Sequence, residues 1–189
     1  MKKVLLIIAA MAMCVAANSC SKGGTESGAS SSTEVSEAEA ADEVAFTDGV
    51  VYENEKFGFS VSLPEGFHPQ NDDKQMEEER GGKVYINQGC MVDMQASDQS
   101  SKVATVKESL EMDAAFITVD EANGEKLLQK DVKDDELIAK WTDQFGYRAL
   151  YYKYVGKTKY EIAFTYGTDR KKEFEEEVDK IIKSLKYKK

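Results

Sequence analysis

Two alternating stretches separated by a glycine constrain the fold of this chain more than any other feature. Residues 147–155 read YRALYYKYV and residues 158–166 read TKYEIAFTY, with Gly156 and Lys157 between them. A two-residue loop containing glycine joins adjacent antiparallel strands, so Val155 pairs with Thr158 and the pairing continues inward. The predicted pairs on one apolar face are Tyr147–Tyr166, Ala149–Phe164 and Tyr151–Ile162. The predicted pairs on the opposite face are Arg148–Thr165, Leu150–Ala163, Tyr152–Glu161 and Tyr154–Lys159.

The loop before this hairpin allows more than one register. A three-residue loop, Gln144-Phe145-Gly146, places glycine where a left-handed residue is needed and pairs Trp141 with Ala149 on the core face. A loop of two or four residues turns Trp141 to the other face, because a one-residue shift exchanges the faces of a strand. The position of the glycine and the benefit of burying the single tryptophan favour the three-residue loop.

With that loop, the outward face of the sheet becomes a candidate binding surface. Aromatic and aliphatic residues stand there among Lys140, Arg148 and Glu161, a mixture typical of surfaces that contact a partner. A solvated sheet face with ordinary cross-strand pairs is the alternative interpretation. The candidate surface consists of Ile138, Leu150, Tyr152 and Tyr154.

The rest of residues 50–189 completes an α+β domain. Helical spacing over 101–116 includes a capping box at Thr105 and Glu108, and the apolar residues of 169–187 form one helical stripe. We therefore predict an antiparallel β-sheet with two helices packed on its apolar face. The predicted strands are 56–63, 83–88, the segment from Cys90, and those near 125–132, 136–142, 147–155 and 158–166.

The N-terminus has the pattern of an exported lipoprotein. An apolar run over 4–17 is too short to span a bilayer, and it ends at small residues and Cys20. It resembles a bacterial lipoprotein signal, in which cleavage exposes a cysteine that receives acyl chains such as palmitate. We predict a signal peptide at 1–19 and lipidation of Cys20. Cys14, inside the apolar run, is the rival site, and an ordinary secretory signal is the alternative.

Residues 20–49 are predicted to be a lipidated, disordered tether. Within 21–48 the chain is rich in serine, glycine and alanine and carries seven acidic residues against one basic residue, so it has little to bury. The whole chain has a net charge of −10, which becomes −12 after the two signal lysines are removed. Such an acidic chain lacks the basic surface that nucleic acid binding requires, so nucleic acid is excluded as a partner.

Most catalytic and metal-binding patterns are missing from the sequence. His68 is the single histidine, which excludes a histidine-based triad and a multi-histidine zinc site. The alternation around Cys90 predicts a buried apolar role, with a reactive thiol as the alternative. The acidic runs at 72–73, 77–79 and 134–136 lack the spacing of a calcium loop and leave a weak calcium site as an alternative. We predict no catalytic residue, no cofactor and no metal.

Two stretches resemble the PsbP-like family. They are YENEKFGFSVSLPEGF at 52–67 and VDKIIKSLK at 178–186, and the Tyr-Pro pair common in the family is Tyr166-Gly167 here. The fold of that family occurs in an extrinsic subunit of the photosynthetic oxygen-evolving complex, in a Ran-binding nuclear import factor and in many bacterial lipoproteins. The matching positions are Phe57, Gly58, Phe59, Pro64, Gly66, Phe67, Ile181, Ile182, Ser184 and Leu185.

These observations predict a lipid-anchored protein of the bacterial cell envelope, in the outer membrane, with a non-catalytic protein-binding or assembly role. The resemblance implies binding, since the best-understood members bind other proteins and catalyse nothing. The partner is an envelope protein that the sequence does not identify. A small extracytoplasmic hydrolase that uses a pair of carboxylates is the alternative, because 50–189 is rich in acidic residues.

Overall fold

The computed structural model describes residues 46–70, 78–99 and 105–188. The predicted signal peptide, Cys20, most of the tether and the acidic run at 72–73 lie outside these residues. Among the described residues, no helix is both long enough and apolar enough to cross a bilayer.

The described residues form two antiparallel sheets and two longer helices. The small sheet contains β1 (Val50–Asn54), β2 (Phe59–Leu63) and β10 (Lys186–Tyr187), in the order β1-β2-β10. The large sheet contains β3 (His68–Pro69), β4 (Lys83–Asn87), β5 (Cys90–Asp98), β6 (Lys126–Val132), β7 (Glu136–Asp143), β8 (Gly146–Val155) and β9 (Thr158–Gly167). Its strand order is β3-β4-β5-β9-β8-β7-β6. The helices are α1 (Val106–Phe116) and α2 (Lys171–Lys183), with a short 3-10 helix at Glu121–Asn123. The predicted α+β class is confirmed.

Helix α2 packs against both sheets and closes the main core. Its predicted apolar stripe is buried through Phe174, Val178 and Ile181. Just beyond the helix, the Ser184 hydroxyl accepts a hydrogen bond from the Ser62 amide at 2.9 Å, which joins the helix end to β2. The predicted strand 56–63 corresponds to β2, whose alternating residues Phe59, Val61 and Leu63 are all in this core.

Helix α1 packs on the opposite face of the large sheet. Its predicted cap is confirmed, since the Thr105 hydroxyl accepts the Glu108 amide at 3.2 Å. Its buried residues, Leu110 and Ala114, form a second core with Leu137 and Tyr154. The prediction that both helices cover one face is therefore wrong. The alternation within β7 and β8 places large apolar side chains on both faces, and one helix packs on part of each face.

The hairpin of β8 and β9 has the predicted register. Val155 pairs with Thr158, and the pairing continues without a shift to Tyr147 opposite Tyr166. The two-residue loop at Gly156-Lys157 is therefore confirmed, as are the residues assigned to each face of this hairpin.

The hairpin of β7 and β8 differs from the prediction. Asp143 pairs with Gly146, so the loop contains only Gln144 and Phe145, and Trp141 lies opposite Arg148 rather than Ala149. The Asp143 carboxylate stabilises this turn, because its Oδ1 accepts the amides of Phe145 at 2.7 Å and Gly146 at 3.0 Å. Trp141 therefore points away from the main core, and its predicted burial beside Ala149 is wrong.

Gly146 is required by packing and not by the turn that was predicted. Its φ is +138°. A Cβ atom at this position would lie 2.1 Å from the carbonyl oxygen of Tyr166 on the neighbouring strand. The glycine thus permits close contact between β8 and β9, which is a different reason for glycine from the left-handed loop position that the sequence indicated.

Candidate functional site

The four residues predicted to form one binding surface lie in different environments. Ile138 pairs with Tyr151 and packs against the main core, because the shorter loop moves it to the inner face. Tyr154 is buried under α1, with its hydroxyl 3.0 Å from the Ser109 hydroxyl. Leu150 and Tyr152 remain on the outer face and are half-buried. The structure therefore keeps two of the four residues together and removes Ile138 and Tyr154 from the group.

Beside α1, the outer face of the large sheet carries a group of half-buried side chains. They come from four adjacent strands, β5, β9, β8 and β7, and the pairing places them in neighbouring rows. Helix α1 packs at the border of this group, against Leu137 and Tyr154. We call this group the open sheet face, and its members are Met91, Asp93, Trp141, Arg148, Leu150, Glu161, Ala163 and Thr165.

Trp141 and Arg148 form one end of the open sheet face. They are direct cross-strand partners, and the Arg148 Nε donates to Asp143 Oδ2 at 2.9 Å. The carboxylate that stabilises the turn through one oxygen thus holds the Arg148 side chain through the other. The charge of Arg148 is balanced by Asp143, while the Trp141 ring remains partly exposed.

Asp93 and Glu161 lie near the middle of the open sheet face. Asp93 pairs with Ala163 and Glu161 pairs with Gln95, which makes the two acids diagonal neighbours on adjacent strands. Asp93 Oδ2 accepts a hydrogen bond from Gln95 Nε2 at 3.3 Å, whereas the buried Asp93 Oδ1 accepts none from the described residues. A buried carboxylate oxygen without a donor is costly in free energy, so a donor brought to this atom would be stabilising.

The surroundings raise the pKa of both acids. Burial is the main cause for Asp93, with the hydrogen bond from Gln95 acting in the opposite direction. Burial is also the main cause for Glu161, whose pKa is lowered by Lys159 and raised by Asp93 and Asp113. Both carboxylates are thus less favourable in the charged form than a solvated acid, and a cation brought next to them would be strongly attracted.

Helix α1 borders the open sheet face with an exposed aromatic ring. Ser109, Asp113 and Phe116 follow one another at helical spacing and share one side of the helix. Ser109 contacts Tyr154 of β8, and Asp113 binds Lys159 of β9 at 2.7 Å, so this side faces β8 and β9. Phe116, which is 81% exposed, continues that side. It therefore lies where a molecule bound to the open sheet face would contact it.

A cleft of about 640 Å³ lies elsewhere, at the far end of β5. Its lining includes Lys56, Arg80, Asp98 and Lys157, and neither Asp93 nor Glu161 reaches it. The acidic pair is therefore on a broad sheet face and outside this cleft, which is an unusual setting for catalytic carboxylates.

Cys90 is buried, as predicted for an apolar role. Burial raises the pKa of its thiol to about 11, with a further contribution from Glu177. Because the thiolate is the reactive form, the environment argues against the alternative of a reactive thiol.

Among residues 46–70, 78–99 and 105–188, no three histidine, cysteine, aspartate or glutamate side chains are grouped as metal ligands.

The described domain is similar to a solved structure of known fold. The solution structure of cyanobacterial PsbP from Synechocystis sp. aligns with a TM-score of 0.54 and 11% sequence identity, covering 82% of this chain and 99% of that chain. The domain has the PsbP fold. A crystal structure from Bacteroides thetaiotaomicron also aligns, with a TM-score of 0.46 and 16% identity over 75% of this chain and 49% of that one. No protein-family model matches the sequence, and no curated protein matches it.

Part of the open sheet face and its border was not predicted from the sequence. Sequence reasoning missed Trp141, Asp93 and Phe116 as members or neighbours of this surface. For Trp141 the signal was the alternative two-residue loop, which turns this side chain to the outer face of the sheet. The signal for Asp93 was its position in an alternating strand, one residue after buried Val92 and one before buried Met94.

Proposed function

We propose that this protein is a non-catalytic, lipid-anchored binding module of the bacterial cell envelope that docks a protein partner on its open sheet face. The observation that supports the proposal is the composition of this face. Half-buried apolar side chains surround a buried carboxylate oxygen that lacks a hydrogen-bond donor. Apolar patches with a few unsatisfied polar groups are typical of protein interfaces. The PsbP-like resemblance supports binding, since the best-understood members bind other proteins.

If a partner docks on the open sheet face, its capture in a pull-down should depend on the side chains of that face. The double variant Trp141→Ser, Leu150→Ser removes its two largest apolar groups, and Val51→Ser is the matched control, because Val51 is an exposed apolar residue on β1 of the small sheet. In pull-downs from detergent-solubilised envelopes, the double variant should lose specific partners by about tenfold, and Val51→Ser should retain them. Equal capture by the folded double variant and the wild type would exclude the open sheet face as the docking site.

Anchoring is proposed at Cys20. The apolar run, the small residues before the cysteine and the polar residues after it are the supporting pattern. Mass spectrometry of the mature N-terminus should show acyl chains on Cys20, and Cys20→Ala should move the protein from the membrane fraction to the soluble fraction. Membrane retention of Cys20→Ala would assign the anchor to another part of the chain. We propose the outer membrane as the location, following the lipoprotein resemblance.

The pair of carboxylates supports one second candidate function, that of a hydrolase that uses Asp93 and Glu161. Their raised pKa values are a property that catalytic acids share. An enzyme of this type needs the pair to be enclosed with its substrate, whereas here the pair lies on a broad face. Hydrolysis of a glycoside or ester that is abolished by Asp93→Asn, with partner capture unchanged, would favour the hydrolase over the binding module.

A further inference from the structure

We propose that the open sheet face accepts a protein segment in which apolar side chains surround an arginine or lysine, and that this basic group is bound by Asp93 and Glu161. This inference rests on the proposed binding function and adds the chemistry of the partner. Four observations support it: the geometry of the acidic pair, the state of the neighbouring cations, the apolar surroundings and the charge of the other available occupants.

The two acids are placed to share one cation. Asp93 on β5 and Glu161 on β9 project from the same face, and their diagonal relation sets their Cβ atoms roughly 7 Å apart. A planar guanidinium can donate to two carboxylates at once, which a compact ammonium does less well. The buried Oδ1 of Asp93, which accepts no hydrogen bond, is the atom that such a donor would satisfy.

The basic side chains near the pair are already bound to other acids. Lys159 Nζ lies 2.7 Å from Asp113 Oδ2 and 3.6 Å from the centre of the Tyr152 ring. Arg148 Nε binds Asp143 at 2.9 Å. Among the described residues, neither Asp93 nor Glu161 has an ion-pair distance to a basic group. The missing positive charge is therefore expected from the partner.

Apolar groups around the acids would exclude water from the bound cation. Met91 and Ala163 lie next to the acids on β5 and β9, Leu150 and Trp141 lie towards β7, and Phe116 borders the face from α1. An ion pair enclosed by apolar contacts is stronger than one in open solvent, because screening by water is lost. The partner segment should therefore carry aromatic or aliphatic residues on both sides of its basic residue.

Charge disfavours two other occupants, a second copy of the chain and the acidic segment 21–48. A second copy docked through the same face would bring two Asp93–Glu161 pairs towards each other, and the Arg148 and Lys159 cations of this face are already paired with Asp143 and Asp113. Residues 21–48 carry seven acidic residues and one basic residue, so they repel an acidic face. A segment of another protein that carries both a basic residue and apolar residues complements the charge of the two acids and the apolar groups around them.

The probe for this proposal is a random peptide library displayed on phage and selected on the immobilised folded domain. Peptides that bind the Trp141→Ser, Leu150→Ser domain are removed in each round. The enriched peptides should contain arginine or lysine flanked by aromatic or aliphatic residues. Synthetic copies should bind the Asp93→Asn, Glu161→Gln domain tenfold more weakly or worse, and replacing the basic residue of the peptide by glutamine should give a matching loss.

The pH dependence of peptide binding supplies an independent measurement. The pair faces Gln95 on β5, Lys159 on β9, Tyr152 on β8 and Asp113 on α1. Since the pKa values of Asp93 and Glu161 are raised, their charge is lost at a higher pH than that of a solvated acid. Affinity should therefore fall as the pH is lowered, starting at a higher pH than for a solvated carboxylate, and the Asp93→Asn, Glu161→Gln domain should lack this dependence.

Each outcome bears on a different part of the proposal. Enriched peptides without a basic residue, or equal binding by the Asp93→Asn, Glu161→Gln domain, overturn the charge-based inference and leave docking on the open sheet face intact. Failure to enrich any peptide overturns the inference. A wild-type dimer that becomes monomeric in Trp141→Ser, Leu150→Ser, measured by sedimentation, assigns the face to a second copy and also overturns it. The proposed function itself is tested separately, by the pull-down from solubilised envelopes.

Discussion

Replacement of Tyr154 by alanine is expected to lower the free energy of unfolding by about 3–5 kcal/mol, the range for truncating a large buried ring. Tyr154 is 5% exposed and packs with Leu110, Ala114 and Leu137 in the second core. Its hydroxyl also contacts the Ser109 hydroxyl at 3.0 Å, so truncation leaves both a cavity and a partly buried polar group. Urea unfolding followed by circular dichroism measures the loss.

Trp141→Ala is the matched control, because it also removes an aromatic ring from the outer face. Trp141 is half-buried and lies opposite Arg148. Its truncation should cost about 1–2 kcal/mol, since the ring keeps part of its surface in solvent in the folded state. A severe effect of Trp141→Ala with a mild effect of Tyr154→Ala would contradict the register of β7 and the position of α1.

Tyr154→Phe separates packing from hydrogen bonding at the same site. It keeps the ring among Leu110 and Leu137 and removes only the contact with Ser109. The expected cost is about 1 kcal/mol, the typical contribution of one hydrogen bond. A loss as large as that of the alanine variant would mean that the hydroxyl, and not the ring, stabilises the contact between α1 and the sheet.

Gly146→Ala is the second substitution with a large expected effect, a loss of about 3 kcal/mol or more. The new methyl group would lie 2.1 Å from the Tyr166 carbonyl oxygen, and the backbone φ of +138° is unfavourable for any residue with a side chain. Because the obstacle is the backbone of β9, the strands must separate before the methyl group fits. Thermal or urea unfolding of the variant measures the cost.

Gly156→Ala is the control for Gly146→Ala. Gly156 also has a positive φ, +61°, but no atom lies within 4 Å of a Cβ built there. It therefore reports the conformational cost alone, about 1–2 kcal/mol. Equal effects of the two substitutions would mean that β8 and β9 are not in close contact at Tyr166, and that Gly146 serves only the turn.

The sequence predicted the parts of the fold that depend on neighbours along the chain. The Gly156-Lys157 loop, the alternation of β8 and β9, the Thr105 cap and the stripe of α2 are all local patterns, and the structure has each of them. Side chains alternate with a period of two in any strand, so one loop of known length determines which residues share a face.

The candidate site depended on information that is not local. Two residues of the predicted surface, Ile138 and Tyr154, were misplaced for separate reasons. Ile138 was misplaced because the length of the β7–β8 loop is set by hydrogen bonds from the Asp143 side chain, and because the glycine at 146 serves its contact with Tyr166. Tyr154 was misplaced because the face of the sheet that α1 covers is decided by packing across the chain.

The sequence by itself therefore determined the α+β class, the register of the central hairpin and the resemblance to the PsbP-like family, since these depend on periodicity, turn residues and local motifs. Only the tertiary structure decided that α1 and α2 pack on opposite faces and that Trp141 points outward. It also decided that Asp93 and Glu161 meet on adjacent strands. The alternation of side chains along a strand determines which residues share a face of the sheet. The contacts between elements distant in the chain determine which face is covered and which face stays accessible to a partner.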